Sequence, residues 1–446
     1  MQKTSRILFV ATLAIVAATL GLIFINNLID FPVYYSAGRS LLGGRSDLYS
    51  PDFAQGQVMD YRYVPFFIVL LIPLWLLPYS VASYIWYLLS VLQIAGCVWS
   101  VRKMVDSFQS SNKVWVVSAL ALAQYFVMIL HYGNAHLLAV FLLFASFYFT
   151  LEGKDVIAAI LISLSVTIKL TPIFVLPYFA LKRKWKFLSL VCVITTAINI
   201  SPSIYFGFDK NTELLRAWFE NVIVAQEFHE VNGPINLSLK GQLRRCFSTV
   251  DYSQRVEGDV RYPSVNIFSF SQGTTDRVWM ICSSILYLCG LVLILLRSRK
   301  KSVNYNTVDD STNPSHNCFN GFENQDSLEL GLMICLMLMI GPLTSKIYFI
   351  ALLWPVTSLA AFAFNNSSPS ATFAKRVLLL IAVMNSVLPL LPGRSVQRLL
   401  LVLGVDFYVS CLVAAALVYV LVSTYPDFRR LSGEQRMQAL SATKKP

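Results

Sequence analysis

The sequence predicts an all-α protein that crosses a membrane many times, and three observations lead there. Of 446 residues, 56% are hydrophobic and 13% charged, whereas a soluble domain carries about 25% charged residues. The apolar residues gather in blocks as long as a bilayer is thick. Ile7 to Ile29 holds no ionised side chain, and as a helix it rises about 34 Å, enough to cross a hydrocarbon core of about 30 Å. Lysine and arginine gather between blocks, as they do in cytoplasmic loops of membrane proteins.

Twelve spans follow from hydropathy, at 7–29, 63–78, 81–101, 115–130, 134–151, 155–181, 187–207, 276–297, 327–345, 347–364, 376–391 and 400–424. The first is long for a signal sequence and lacks a small-residue cleavage site before Asp30, so it reads as a retained helix. With an even count, the basic clusters fall on one side: Lys3 with Arg6, KRKWK (182–186), RSRKK (297–301), Lys375 with Arg376, and Arg429, Arg430, Arg436, Lys444 and Lys445. Both termini are therefore expected in the cytoplasm. On this topology Arg102, Lys103 and Lys113 lie on the other side, and HYGNAHLL (131–138) is cytoplasmic or buried. The +12 charge then reflects topology and attraction to anionic headgroups, and nucleic-acid binding is not expected. Six of eight cysteines lie in spans, Cys318 is in a cytoplasmic loop, and Cys246 stands alone outside. One external cysteine closes no internal bridge, and no Cys/His spacing suits zinc.

The expected organisation is a catalytic transmembrane module (1–297) with external loops 30–62 and 208–275. A flexible cytoplasmic linker (298–326) follows, rich in Asn and Ser. C-terminal helices (327–424) and a basic cytoplasmic tail (425–446) complete the chain. In the first loop, Val33, Ala37, Leu41 and Leu42 of FPVYYSAGRSLL recur near helical spacing, which suits a short interfacial helix stopped by Gly43-Gly44. Arg39, Arg45, Asp47, Tyr61 and Arg62 would sit at headgroup height. The second loop, with AWFENVIVAQEFHEVNGPINLSLKGQLRR, is too rich in aromatic and branched residues for disorder. Polar material is thus concentrated on the external face. Asp30 is the sharpest candidate there: a carboxylate at the mouth of a membrane helix is partly desolvated and so a better proton acceptor. The plainer reading is a helix-end acid paired with Arg39 or solvated.

Read together, DFPVYYSAGRSLLGGRSDLY, YRYVPFFIVLLIPLWLLP, HYGNAHLL and TIKLTPIFVLPYFALKRKWK occur in an order that resembles the multi-pass glycosyltransferases of GT-C architecture. The likeness is to the polyprenyl-phosphate-mannose-dependent α-1,2-mannosyltransferases, glycosyltransferase family 87. It spans about 5 to 250 and fades afterwards to a few positions around GPLTSKIYFIALLWP. The resemblance implies transfer of a hexosyl, mannosyl-like group from a polyprenyl-phosphate donor to a lipid or glycan acceptor. The reaction would take place on the outer face of a bacterial plasma membrane, with inversion and with Asp30 as the base. A cation must then stabilise the leaving phosphate, and Lys169, Arg244, Arg245, Lys240 and Lys346 are the candidates. Lys169 lies well inside a span, where an ammonium must pair within the bundle or reach a wet cavity. Arg244 and Arg245 suit phosphate by their forked geometry or form a solvated basic helix face. Asn236 and Ser238 either bond sugar hydroxyls or cap a helix.

Tyr35, Arg39 and Tyr348 are further candidates for sugar or acceptor contacts. For the other aromatics, Tyr34, Tyr61, Tyr63 and Trp218, an interfacial belt is the plainer reading. The sequence departs from the family pattern twice. Asn134 and His136 stand where many relatives carry Gln and Asn, and His136 reads as structural. Near GPLTSKIYF, Lys346 and Tyr348 occupy a region that commonly carries a histidine. Glu227 and Glu230 do not assemble a metal site, so no metal or cofactor is expected. A flippase for lipid-linked sugars and a non-catalytic subunit of an envelope-assembly complex remain as alternatives. The lack of an internal repeat weighs against the flippase.

Overall fold

A computed structural model describes residues 15–424 except 51, 55, 58, 106–111, 226–232, 249–261 and 306–322. The described residues are helical in architecture, and their only β pairing is an isolated bridge between Ser248 and Phe270. In lipid a helix alone satisfies every backbone group within its own segment, so long apolar blocks take that form.

Helix α1 (Ile15–Asn27) meets α2 (Phe31–Leu42) at 52°. The break has a covalent cause. Pro32 lacks the N–H that would bond the Leu28 carbonyl four residues back, and Leu28 is extended at φ −63°, ψ 137°. Gly43 ends α2 by bonding the Arg39 carbonyl, and Gly44 turns the chain at φ +90°. Next come α3 (Pro65–Leu70) and α4 (Ile72–Trp75). This is the first correction, because 63–78 does not span. Prolines 65 and 73 cut it into pieces that together rise about 15 Å. Both of its ends lie beside α2: Tyr63 and Tyr34 share a hydroxyl contact of 2.8 Å, and the Leu77 carbonyl accepts from Tyr35 at 2.7 Å.

The bundle continues through α5 (Tyr79–Val105), α6 (Asn112–Tyr132), α7 (His136–Leu151), α8 (Asp155–Ile168), α9 (Thr171–Leu181) and α10 (Trp185–Ile200). The expected span 155–181 is two antiparallel arms, α8 and α9, hinged at Lys169. There the backbone is extended (φ −141°, ψ 118°) and Pro172 follows two residues after Leu170. Lys184, just past α9, returns to the Thr150 carbonyl and to Asp155, 3.4 Å from each.

One span fewer and one more cancel by the KRKWK run, but they reassign everything between. Trp99 meets Tyr148 edge-on at 4.7 Å, so Arg102 and Lys103, at the end of α5, lie at the same end as Thr150 and Lys184. Lys113 opens α6 at that end too. The α6–α7 junction, HYGNAHLL, therefore lies at the opposite end, where the Asp30 N–H bonds the Tyr132 carbonyl at 2.8 Å. It does not share the end of the KRKWK run, as hydropathy counting placed it.

Helices α11 (Ser203–Phe206), α12 (Phe208–Trp218), a π turn (Phe219–Ala225) and α13 (Leu239–Phe247) build the second loop. Then follow α14 (Gln272–Tyr305), α15 (Glu323–Ile340), a 3₁₀ helix (Lys346–Leu352) continuing as α16 (Leu353–Asn365), α17 (Pro369–Val387), α18 (Arg394–Leu403) and α19 (Val405–Ser423). Helix thus occupies both edges of the expected linker 298–326, whose middle, 306–322, lies outside the described residues, as does the tail. Among the described residues, seven helices are long and apolar enough to cross a membrane, or eight if α1 and α2 make one bent span. Helices α7, α8 and α9 are apolar but shorter, so length and composition support fewer than the twelve expected spans.

At the end away from Asp30, Lys182 sits 2.8 Å from Asp326 and 2.6 Å from Glu329, with Arg297 3.6 Å from Glu329. Two cations face two acids, so no net charge is left within this cluster where lipid would make it costly. Packing against α2 is tight by comparison with the periphery. A Cβ added at Gly38 would lie 2.3 Å from Trp75 Cγ, whereas one at Gly273 meets nothing within 4 Å. Gly38→Ala should cost about 1–3 kcal/mol through overpacking and lower the Tm in detergent, while Gly273→Ala should leave it unchanged or higher. Equal Tm values for the two variants would refute this packing.

Candidate active site

Asp30 occupies the break between α1 and α2 and is only 8% exposed. The broken ladder leaves backbone groups without helical partners, and the α6–α7 turn meets them. The Asp30 N–H donates to the Tyr132 carbonyl, and Asn134 Nδ2 donates to Asp30 Oδ2, each at 2.8 Å. Asn134 is itself fixed, because its Oδ1 accepts from the His136 N–H at 2.7 Å at the start of α7. Gly133 takes φ +60°, a conformation that glycine adopts at little cost, and its carbonyl accepts from Trp86 Nε1 at 2.8 Å. The turn thereby aims an amide at the carboxylate and sets its plane.

Asp30 and Asn134 line a cleft of about 420 Å³ with Lys169, Tyr63, Tyr348 and Arg62. Lys169 enters from the apex of the α8–α9 hairpin. Its ammonium donates to the Tyr348 hydroxyl and lies 4.1 Å from the centre of that ring and 5.9 Å from that of Tyr63. Among the described residues it makes no ion pair. Tyr348 is held from its other side by His136, stacked at 4.3 Å. Burial pushes the Tyr63 phenol far up from its ordinary range, with the neighbouring Tyr348 adding to the shift. The remaining walls are apolar, with Ile173 and Phe174 from α9, Ile223 from the π turn and Leu343 ahead of the 3₁₀ helix. The cleft thus joins two carboxylates, Asp30 and Asp60, the Lys169 ammonium, the Arg62 guanidinium and phenols to a greasy flank. Such a site has the mixed polar and apolar lining of a ligand pocket.

The structure brings Asp30, Lys169 and Tyr348 together and puts the other sequence candidates elsewhere. Tyr35 bonds the Leu77 carbonyl among aromatic rings, and Arg39 bonds the Trp75 carbonyl at 3.3 Å. Both tie α2 to α4. Asn236 and Ser238 are buried and serve architecture. Ser238 caps α13 by accepting from the Gly241 N–H. Asn236 accepts from Ser238 and the Thr344 N–H and donates to the Pro342 carbonyl, stitching the second loop to the cleft wall. Arg244 forms a forked pair with Asp276, at 2.9 and 2.6 Å. Arg245, fully buried, donates to the carbonyls of Asn236 and Pro234 at 2.6 and 3.2 Å. Lys240 lies 4.7 Å over the Trp279 ring and 4.0 Å from Asp276, and burial draws its pKa down. Lys346 is 3.9 Å from Asp406, away from the cleft. Glu227 and Glu230 lie outside the described residues.

Asn134 is the residue that sequence reasoning missed as a partner of Asp30. The signal was available in the Gly-Asn turn that joins two apolar helices, but counting 63–78 as a span sent it to the wrong end. The reassignment of Arg244 is measurable. Arg244→Gln should lower stability by about 1.5–3 kcal/mol through its lost charged hydrogen bonds, seen as a lower Tm, while ligand affinity at the cleft stays unchanged. A weakened ligand at normal Tm would return Arg244 to the site.

A family model described as glycosyltransferase family 87 matches residues 61–309, more than half of the chain. Asp30 precedes the matched stretch and Tyr348 follows it. No curated protein matches the chain, and no solved structure does.

Proposed function

We propose, for a chain that belongs to glycosyltransferase family 87 and is thereby a membrane glycosyltransferase, that it moves a hexosyl, mannosyl-like group from a polyprenyl-phosphate carrier to an acceptor hydroxyl. The observation that carries this reading is one cleft lined by both the Asp30 carboxylate and the Lys169 ammonium. An ammonium that pairs with no acid among the described residues, inside a membrane bundle, is costly unless it meets an anion from outside the protein, and a lipid phosphate supplies one. The apolar walls offer the polyprenyl chain a surface matching its own.

In this reaction the acceptor O–H gives its proton to Asp30 as its oxygen forms a bond to the sugar C1. The C1–O bond to phosphate breaks, and its electron pair leaves with the phosphate oxygen. Lys169 stabilises that charge, and Tyr348 and Tyr63 offer neutral hydrogen bonds beside it. A single displacement, with base and leaving group on opposite faces of the sugar, inverts C1. Asn134 holds one carboxylate oxygen and so keeps Asp30 oriented. The basic residues Arg102, Lys103, Lys182 and Lys184 gather at the end away from Asp30, which supports a cytoplasmic location for that end and an extracytoplasmic cleft. The acceptor is a lipid or glycan that reaches the cleft from the membrane surface.

Purified protein in detergent, given labelled polyprenyl-phosphate mannose and a mannoside acceptor, should form covalent product. Detergent has no compartments, so carrier movement without product would instead favour a flippase. Asp30→Asn should lower kcat by about 10²–10⁴-fold, the usual share of a general base, at near-normal Tm and donor binding. Lys169→Met should weaken binding of sugar-free polyprenyl phosphate, whereas Lys169→Arg should keep part of it. Normal turnover in Asp30→Asn would remove the assigned base.

A further inference from the structure

The cleft wall at 342–348 lies beyond the stretch that matches the family. Asn236 ties its start and His136 stacks on Tyr348, and the helix that carries it has partners on another face as well. The 3₁₀ helix that begins at Lys346 has three residues per turn, so side chains three apart share a face. Ser345, its cap, and Tyr348 face the cleft. Lys346 and Phe349 lie about 120° further round, on a face that does not line the cleft. Lys346 Nζ is 3.9 Å from Asp406 Oδ2, and Phe349 stacks on Tyr125 at 5.8 Å. Tyr125 in turn donates to Asp406 Oδ1 at 2.8 Å, with Gln124 at 3.4 Å. Asn385 donates to the Tyr125 hydroxyl and to the Ala121 carbonyl, at 3.3 and 2.6 Å. Asp406 is 4% exposed. A carboxylate at that depth persists only with partners, and it finds them on α6 and the 3₁₀ helix while standing on α19.

We propose that Asp406 is a positioning residue: through its ion pair with Lys346 it fixes the rotation of the 3₁₀ helix and so keeps the Tyr348 hydroxyl on Lys169. Asp406 touches neither donor nor acceptor. It acts because a 3₁₀ helix is intrinsically less stable than an α-helix. Rewinding to 3.6 residues per turn rotates each successive side chain by about 20° relative to the last. The ion pair on that second face holds the cleft-lining face in register, and Lys346, on sequence grounds a phosphate ligand, serves the phosphate at one remove. This inference rests on Lys169 being the partner of the donor phosphate.

The test compares the wild type with Asp406→Asn, Asp406→Glu, Tyr348→Phe and the double variant. It measures the Kd for sugar-free polyprenyl phosphate, donor KM, kcat and Tm. Asp406→Asn should raise the carrier Kd and donor KM about 5–30-fold, and Asp406→Glu should recover most of the loss. In the Tyr348→Phe background Asp406→Asn should add little, since the group it positions is gone. Should Asp406→Asn fail to fold, Lys346→Gln breaks the same pair from its more exposed side and must give the same coupling to Tyr348→Phe. Wild-type Kd and KM in the charge-neutral variants, or effects that multiply independently of Tyr348→Phe, would overturn the proposal. A wild-type protein that binds no polyprenyl phosphate would instead sink the functional reading on which it rests.

Discussion

The joint between the α1–α2 break and the α6–α7 turn organises the Asp30 end of the molecule. Pro32 cannot bond the Leu28 carbonyl and Leu28 is itself extended, so the helical ladder breaks there and the Asp30 N–H takes a partner outside its own helix. The turn at Gly133 ends α6 with the Tyr132 carbonyl available, and each group satisfies the other at 2.8 Å. Backbone polar groups withdrawn from their own helices need such a partner, so the pairing is strongly favoured. Asn134 then follows at the distance of a side-chain bond from the carboxylate. A backbone requirement and a chemical one are met by the same four-residue turn.

Charge is handled in opposite ways at the two ends of the bundle. Away from Asp30, Lys182 and Arg297 are matched by Asp326 and Glu329, a balanced group that fastens α9, α14 and α15. At the cleft, Lys169 meets phenols in place of acids. Phenols solvate an ammonium without neutralising it, so among the described residues its charge is not cancelled by an ion pair. The same contrast separates Lys169 from Arg244, whose fork is already occupied by Asp276.

Part of what lines the cleft could be picked out before the fold. Asp30 stands out because an acid ends an otherwise uncharged apolar block, and Lys169 because a lysine interrupts another. Tyr348 was found by resemblance to a family segment. The other candidates have partners of their own that the sequence does not reveal. Arg244, Arg245, Lys240, Asn236 and Ser238 have the right side chains in a polar loop, yet composition says nothing about which neighbour already holds them. The topology misreadings share a different cause. Hydropathy adds up apolar residues and is blind to where prolines 65, 73 and 172 break the helices, so 63–78 passed as a span and 155–181 as one rather than two.

By itself the sequence determined the all-α membrane class and the acid at the exit of the first helix. These depend on local quantities, namely apolar length, charge and proline position, each confined to a short stretch of chain. The tertiary structure alone decided which end holds HYGNAHLL and that Asn134 serves Asp30. It also decided that Tyr348 meets Lys169 across 179 residues and that Lys346 lies on a face that does not line the cleft. Those facts turn on how helices of similar hydropathy pack against one another, and that choice rests on side-chain shape and partner geometry between segments remote in the chain.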